Sequence, residues 1–188
     1  MTPLETERLI IRNFKADDWQ DLQEMAVKYQ ESEYAQYDHE WPTDAEEIQD
    51  VAEWFAGGDD YLAVCLRETG KLIGFIALKS YEEKDAPEGG GEFSLGYVFN
   101  PDYHSQGYAT EGCRAVLDHA FRPLGAERVV SGTAAANTPS CQLLRRLGMR
   151  ETGQHTASFY ETSEGEPIEF VALSFTLSRD EWVARRSH

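Results

Sequence analysis

A chain of 188 residues is long enough for one domain with a sizeable core and too short for two, so a single domain over residues 1–188 is expected. With 41 % hydrophobic and 12 % aromatic residues, 15 Gly and 7 Pro, the composition excludes disordered, collagen-like and disulfide-dense classes. Acidic residues outnumber Lys and Arg by 34 to 17, and the charge of −17 disfavours nucleic acid and anionic membrane as partners while favouring cationic ones.

The elements follow in chain order. The opening MTPLETERLIIRNF lacks the basic-then-apolar pattern of a secretory signal, and Arg8 to Phe14 reads as a short apolar segment. Trp19, Leu22, Met25, Ala26 and Tyr29 recur at helical spacing behind Asp17 and Asp18, and a second helix is predicted from Thr43 to Phe55. YLAVCLR, the turn Glu68-Thr69-Gly70, KLIGFIALKSY and EFSLGYVF carry the β-branched and aromatic content of an antiparallel meander. Residues 82–91, EEKDAPEGGG, read as a long acidic hairpin loop within it. Ala109, Cys113, Val116, Leu117, Ala120 and Phe121 then form a helical face ended by Pro123 and Gly125. ERVVSGT is a strand. Thr138-Pro139 reads as an N-cap and first helical residue of a helix ending at Gly148, and Met149 to Tyr160 and Glu166 to Leu177 are the last two strands. No apolar run approaches the ~18 residues of a membrane span.

Between GYVF and the helix near Ala109 lies NPDYHSQGY, a strand, loop, helix arrangement with Gly107 at the last turn. Unpaired amides at a helix N-terminus and the helix dipole favour an anion there, and a residue without a side chain lets a phosphate approach the backbone. An ordinary helix start would look the same from this segment alone. The Gly-x-Gly-x-x-Gly and Gly-x-x-x-x-Gly-Lys-Ser/Thr patterns are absent, so a dinucleotide or nucleoside-triphosphate reading lacks its signature.

His104-Ser105-Gln106-Gly107-Tyr108-Ala109 resembles the acyl-CoA pyrophosphate loop of the GNAT N-acetyltransferase superfamily, usually Arg/Gln-x-x-Gly-x-Gly/Ala, with His104 and Ser105 departing from the common residues. The resemblance runs from TERLIIRNFKADDWQDL through LGYVFNPDYHSQGYATEGCRAVLDHAF to Asn137-Thr138-Pro139-Ser140 and LLRRLGM. It is similar to the branch containing the ribosomal-protein N-terminal acetyltransferases, the Rim group. The resemblance implies an α/β fold with a mixed, mostly antiparallel twisted sheet of about seven strands and about four helices on its faces. It implies acetyl-CoA as co-substrate; no metal is expected, because the five histidines are dispersed and neither Cys-x-x-Cys nor His-Glu-x-x-His occurs. It assigns Tyr97, Val98, Phe99, His104, Ser105, Gln106, Gly107, Tyr108, Ala109 and Thr110 to the cofactor, with Asn137 orienting the pantetheine arm and Ser140 donating to the departing thiolate. In the superfamily the strand matching EFSLGYVF is splayed from its parallel neighbour.

Many relatives place a basic glutamate two residues before the glycine that matches Gly96, where this chain has Ser94; Glu92 is the substitute candidate for a catalytic base. Presenting an α-amine of pKa about 7.7 to 8.0 in its neutral form costs roughly 1 to 1.4 kcal/mol at neutral pH, against roughly 4.6 kcal/mol for a lysine side chain. Ser94 therefore tilts the reading toward an α-amine acceptor. Cys65, Cys113 and Cys141 sit in apolar patterns and read as core thiols, which, with their irregular spacing, places the chain in a reducing compartment, the cytoplasm. Trp19, Trp41, Trp54, Tyr34 and Tyr37 are candidates for an acceptor wall, with core packing the commoner role for aromatics at such spacing. The expected function is acetyl transfer from acetyl-CoA to a primary amine by direct attack, on a cationic peptide N-terminus or a small amine such as a polyamine, amino sugar or antibiotic. A non-catalytic CoA-binding sensor is the reading from another class, and a second copy of the chain is admitted as a partner.

Overall fold

The computed structural model of the protein describes residues 1–81 and 91–186. All but the last residue of the expected acidic loop, 82–91, therefore lies outside the described residues. One sheet organises the rest. Its strands are β1 (Leu4–Glu5), β2 (Leu9–Asn13), β3 (Tyr61–Leu66), β4 (Leu72–Tyr81), β5 (Glu92–Phe99), β6 (Arg128–Ala134), β7 (Arg150–Glu161) and β8 (Pro167–Ser178). They lie in the order β1-β2-β3-β4-β5-β6-β8-β7, antiparallel throughout except for the β5 and β6 pair. The helices are α1 (Trp19–Gln30), α2 (Ala45–Ala56), α3 (Tyr108–Phe121), α4 (Thr138–Leu147) and α5 (Arg179–Arg186). The α/β class and mostly antiparallel sheet agree with expectation; β1 and α5 are additions to it.

Strand alternation sends side chains to two separate cores. Leu62 and Val64 of β3 join the core under α3 and α4, while Ala63 and Cys65 join the one under α1 and α2. In β4 the register shift between Val64 and Cys65 leaves Ile73 as an extra residue, so Leu72 and Phe75 face one core and Ile73, Ile76 and Leu78 the other. All three cysteines are buried free thiols; burial raises each thiol pKa, that of Cys65 to about 11, as befits packing groups.

Two polar anchors fix α1 against the sheet. Arg12 holds Asp18 through paired hydrogen bonds of 2.7 Å, and Lys71 bridges Asp21 at 3.0 Å and Glu24 at 2.9 Å. Glu24 also accepts from Nδ2 of Asn100, which is 1 % exposed and whose Oδ1 accepts from the Asp102 backbone. A buried amide in that position requires these partners. The segment between β5 and α3 is thus tied down from both sides.

Candidate functional site

The parallel pairing of β5 with β6 covers only Glu92 to Ser94 opposite Arg128 to Val130. Ser131 Oγ donates to the Leu95 carbonyl at 2.8 Å, and beyond that contact no strand pairing continues, while β5 stays paired with β4 to Phe99. The residues that follow, Gly96 to Phe99 on one side and Gly132 to Ala134 on the other, line an open groove of about 1620 Å³. Pockets for drug-sized ligands span roughly 300–1,000 Å³. The expected splay of the strand is present, and it leaves one edge of Tyr97-Val98-Phe99 without a strand neighbour.

The loop leading to α3 forms the second wall. Ser105 and Gly107 take left-handed backbone at φ 59° and 85°, and Gly107 is the N-cap of α3. No side chain caps this helix, so its first amides keep their donor capacity. His104 Nε2 lies 2.8 Å from the Phe99 carbonyl and fastens the loop to the end of β5. His104, Ser105, Gly107, Tyr108, Ala109 and Thr110 line the groove. Gln106 does not: its amide donates to the Asp102 carbonyl and its own carbonyl accepts from Arg8.

Arg8 was not singled out from sequence, yet it braces this wall. Its guanidinium lies 4.4 Å over the Tyr108 ring and 2.7 Å from Glu111, which also accepts from Thr6 Oγ1 at 2.6 Å. Burial works against the Glu111 charge, but hydrogen bonds from Thr6 and Arg8 outweigh it and hold the carboxyl below its ordinary pKa. A lone arginine at a strand start gives no sequence signal for such a role. Arg114 of α3 and Arg146 of α4 also line the groove, and among the described residues neither is paired with a carboxylate.

At the start of α4, Asn137 is the N-cap, accepting from the Ser140 amide at 3.2 Å, with Thr138 and Pro139 inside the helix. The cap is therefore one residue earlier than Thr138. Asn137 and Ser140 both line the groove. Ser140 Oγ lies 2.8 Å from the Tyr97 hydroxyl, which joins β5 to α4 across the opening. Burial raises the Tyr97 pKa and keeps the phenol protonated.

Glu92 is not brought to this groove. It stands at the far, closed end of β5, where Arg128 of β6 takes its carboxylate in an ion pair. Strand parity puts Glu92 and Ser94 on one face, but the splay begins only after both, so the candidate base is corrected to a structural ion pair. The aromatic candidates also divide. Tyr34, Tyr37 and Trp41 line the groove, Trp19 packs with the core under α1 and α2, and Trp54 is 64 % exposed away from the groove. The structure adds Tyr29, Asp38, His39, Phe159 and Phe170 to this aromatic end. They come from α1, the α1–α2 connection and the β7–β8 hairpin, elements whose meeting is set by tertiary packing.

The family described as "Acetyltransferase (GNAT) domain" matches residues 8–150. An uncharacterized N-acetyltransferase of Bacillus subtilis (strain 168), YnaD, is 30 % identical over 149 residues, 79 % of this chain and 82 % of its own. Among solved structures, a GNAT-family acetyltransferase from Bacillus anthracis superposes with a TM-score of 0.79 at 23 % identity, covering 95 % of this chain and 99 % of its own. RimL, a ribosomal L7/L12 alpha-N-protein acetyltransferase in complex with coenzyme A, gives 0.73 at 16 % identity, covering 95 % and 99 %. These two likenesses speak for the fold.

Proposed function

The chain belongs to the GNAT acetyltransferase family, and from that premise we propose that it moves acetyl from acetyl-CoA directly to the primary amine of a cationic acceptor, foremost a protein N-terminal α-amine. The observation that carries this reading is the junction of three features: the unpaired edge of Tyr97-Val98-Phe99, the uncapped start of α3 and the Tyr97–Ser140 hydroxyl pair, all on one groove. Acetyl-CoA supplies the acetyl group and a thiolate leaving group. The amides after Gly107 and the cations Arg114 and Arg146 suit its phosphates, and the free edge of β5 suits the pantetheine amides.

The neutral acceptor amine forms its bond to the acetyl carbon as the carbon–sulfur bond breaks; Ser140 Oγ, hydrogen-bonded with the Tyr97 hydroxyl, gives its proton to the departing sulfur, and the proton shed by the acylated nitrogen restores it through solvent in the open groove. No β5 carboxylate lines the groove, since Ser94 cannot act as a base and Glu92 is held by Arg128. An amine of pKa about 7.7 to 8.0 needs little help to lose its proton at neutral pH, and this favours an α-amine over a lysine side chain.

Titration calorimetry tests the cofactor half: one-to-one binding of acetyl-CoA, strongly weakened in Gly107→Val. A side chain at φ +85° is strained, and its Cβ would lie 3.3 Å from Arg8. CoA release is then measured with basic N-terminal peptides and small amines. Absence of acetyl-CoA binding overturns the reading. Binding without CoA release from any amine replaces the transferase with a sensor.

A further inference from the structure

The aromatic end of the groove holds a carboxylate that, among the described residues, pairs with no cation. The other groove-lining acids are accounted for differently. Glu5 pairs with Arg67 at 3.0 Å and Glu111 with Arg8 at 2.7 Å. Asp118 accepts from the Trp182 indole at 3.0 Å and lies 3.9 Å from Arg122, while Glu7, which also has no ion pair among the described residues, precedes β2 at the end of the groove where α3 begins, away from the aromatic end. Asp38 is half-buried and, among the described residues, in no ion pair.

Its neighbours hold it in place and leave room. Oδ1 accepts from the His39 amide at 2.8 Å and Oδ2 from the Tyr29 hydroxyl at 3.3 Å. Burial and the Asp38 charge keep the Tyr29 phenol protonated, so it remains a donor. A carboxylate offers about four lone-pair sites, and these two bonds use half of them. Around it the His39 ring lies 4.3 Å from Phe159 in an edge contact, and Tyr37 lies 5.4 Å from Phe170. Aromatic rings and a fixed carboxylate lining one groove are the chemistry that receives an ammonium or guanidinium.

We infer that Asp38 seats a second positive charge of the acceptor, so that the preferred substrate is an amine carrying a further cation besides the nitrogen that is acetylated. This rests on the transferase reading above and specifies its acceptor. The carboxylate and its aromatic surroundings belong to the α1–α2 connection and the β7–β8 hairpin, whereas the hydroxyl pair of Tyr97 and Ser140 belongs to β5 and α4. The anchor and the reacting centre are thus carried by different elements. A diamine and a peptide with a basic residue next to its N-terminus share this chemistry.

The experiment compares initial rates of CoA release by the full chain on two matched pairs: diaminobutane against butylamine, and a peptide with Lys at its second position against the same peptide with norleucine. In at least one pair the dication is expected to win by about tenfold in kcat/KM, as a charge-assisted contact would give. The pair in which it wins identifies the source. Asp38→Asn should bring that ratio near unity, mainly through a raised KM for the dication, while acetyl-CoA binding by calorimetry stays within about twofold. Asp38→Glu should keep part of the preference. Equal rates within both pairs for the unaltered chain, a result that needs no variant, overturn the assignment, as does a preference that survives Asp38→Asn. CoA release from no amine at all, despite acetyl-CoA binding, overturns the transferase reading and the Asp38 assignment with it.

Discussion

On the proposed mechanism, the Tyr97 phenol and the Ser140 hydroxyl, 2.8 Å apart, are the groups that assist the departing thiolate. A thiol of pKa about 8.5 is only about 1.5 units from neutrality, so full proton donation is worth at most roughly 2 kcal/mol, or about thirtyfold in rate. Ser140→Ala is expected to lower kcat by about tenfold to thirtyfold, with a smaller change in acetyl-CoA affinity, because the donor acts mainly as charge develops on sulfur. Tyr97→Phe should cost less, since it leaves the Ser140 proton in place. An acetyl thioester of a more acidic thiol should recover most of the Ser140→Ala loss; equal losses on both thioesters would return Ser140 to a capping and packing role. Each residue was legible through the family pattern, one on a strand and one at a helix start. Their contact was not, because it spans 43 positions and exists only where β5 leaves β6.

Among the elements, α5 carries its sequence signal at its start and not in apolar spacing. Ser178-Arg179-Asp180-Glu181 fits the Ser-x-x-Glu capping box. In the structure Ser178 N donates to Glu181 Oε2 at 2.9 Å and Glu181 N to Ser178 Oγ at 3.3 Å, with Arg150 adding an ion pair. The Ser178 backbone N–H, then Arg150 and the Ser178 hydroxyl, hold the Glu181 carboxyl down at about 2 from an ordinary 4.5. A carboxyl depressed on folding stabilises the fold above its unfolded pKa and loses that contribution as pH falls through its folded one, so the window runs from about 4.5 down to about 2. Ser178→Ala should cost about 1 kcal/mol, or roughly 2–4 °C in melting temperature. Glu181→Gln should show a deficit that is full at about pH 6 and narrows steadily below about pH 4. A deficit independent of pH would mean that the charge contributes nothing. Helices α1 and α3 were legible from apolar spacing, and α4 from its Thr138-Pro139 start and closing Gly148. Two-residue β1 was not, since no periodicity fits in so short a segment, and the placement of β8 between β6 and β7 depends on pairing that no local pattern encodes.

Across the whole molecule, and on the proposed function, a chain of −17 faces two substrates of opposite sign. A cationic acceptor is drawn in by the long-range field, while acetyl-CoA, an anion, is repelled until it comes under the local influence of Arg8, Arg114, Arg146 and the α3 N-terminus, all of which line the groove. Screening acts unequally on the two ranges: the Debye length shortens from about 10 Å at 0.1 M salt to about 3 Å at 1 M, which removes the distant field first and spares contacts a few ångströms long. With rising sodium chloride, kcat/KM for a cationic amine at saturating acetyl-CoA should therefore fall. The same quantity for acetyl-CoA at saturating amine should stay level or rise, because loss of the net repulsion offsets weakening of the local attraction. A neutral-bodied amine of matched size should give a flatter response than the cationic one. Parallel losses for both substrates would show that the −17 charge serves only as a solvated surface and that the groove cations dominate the approach of the anion at every distance.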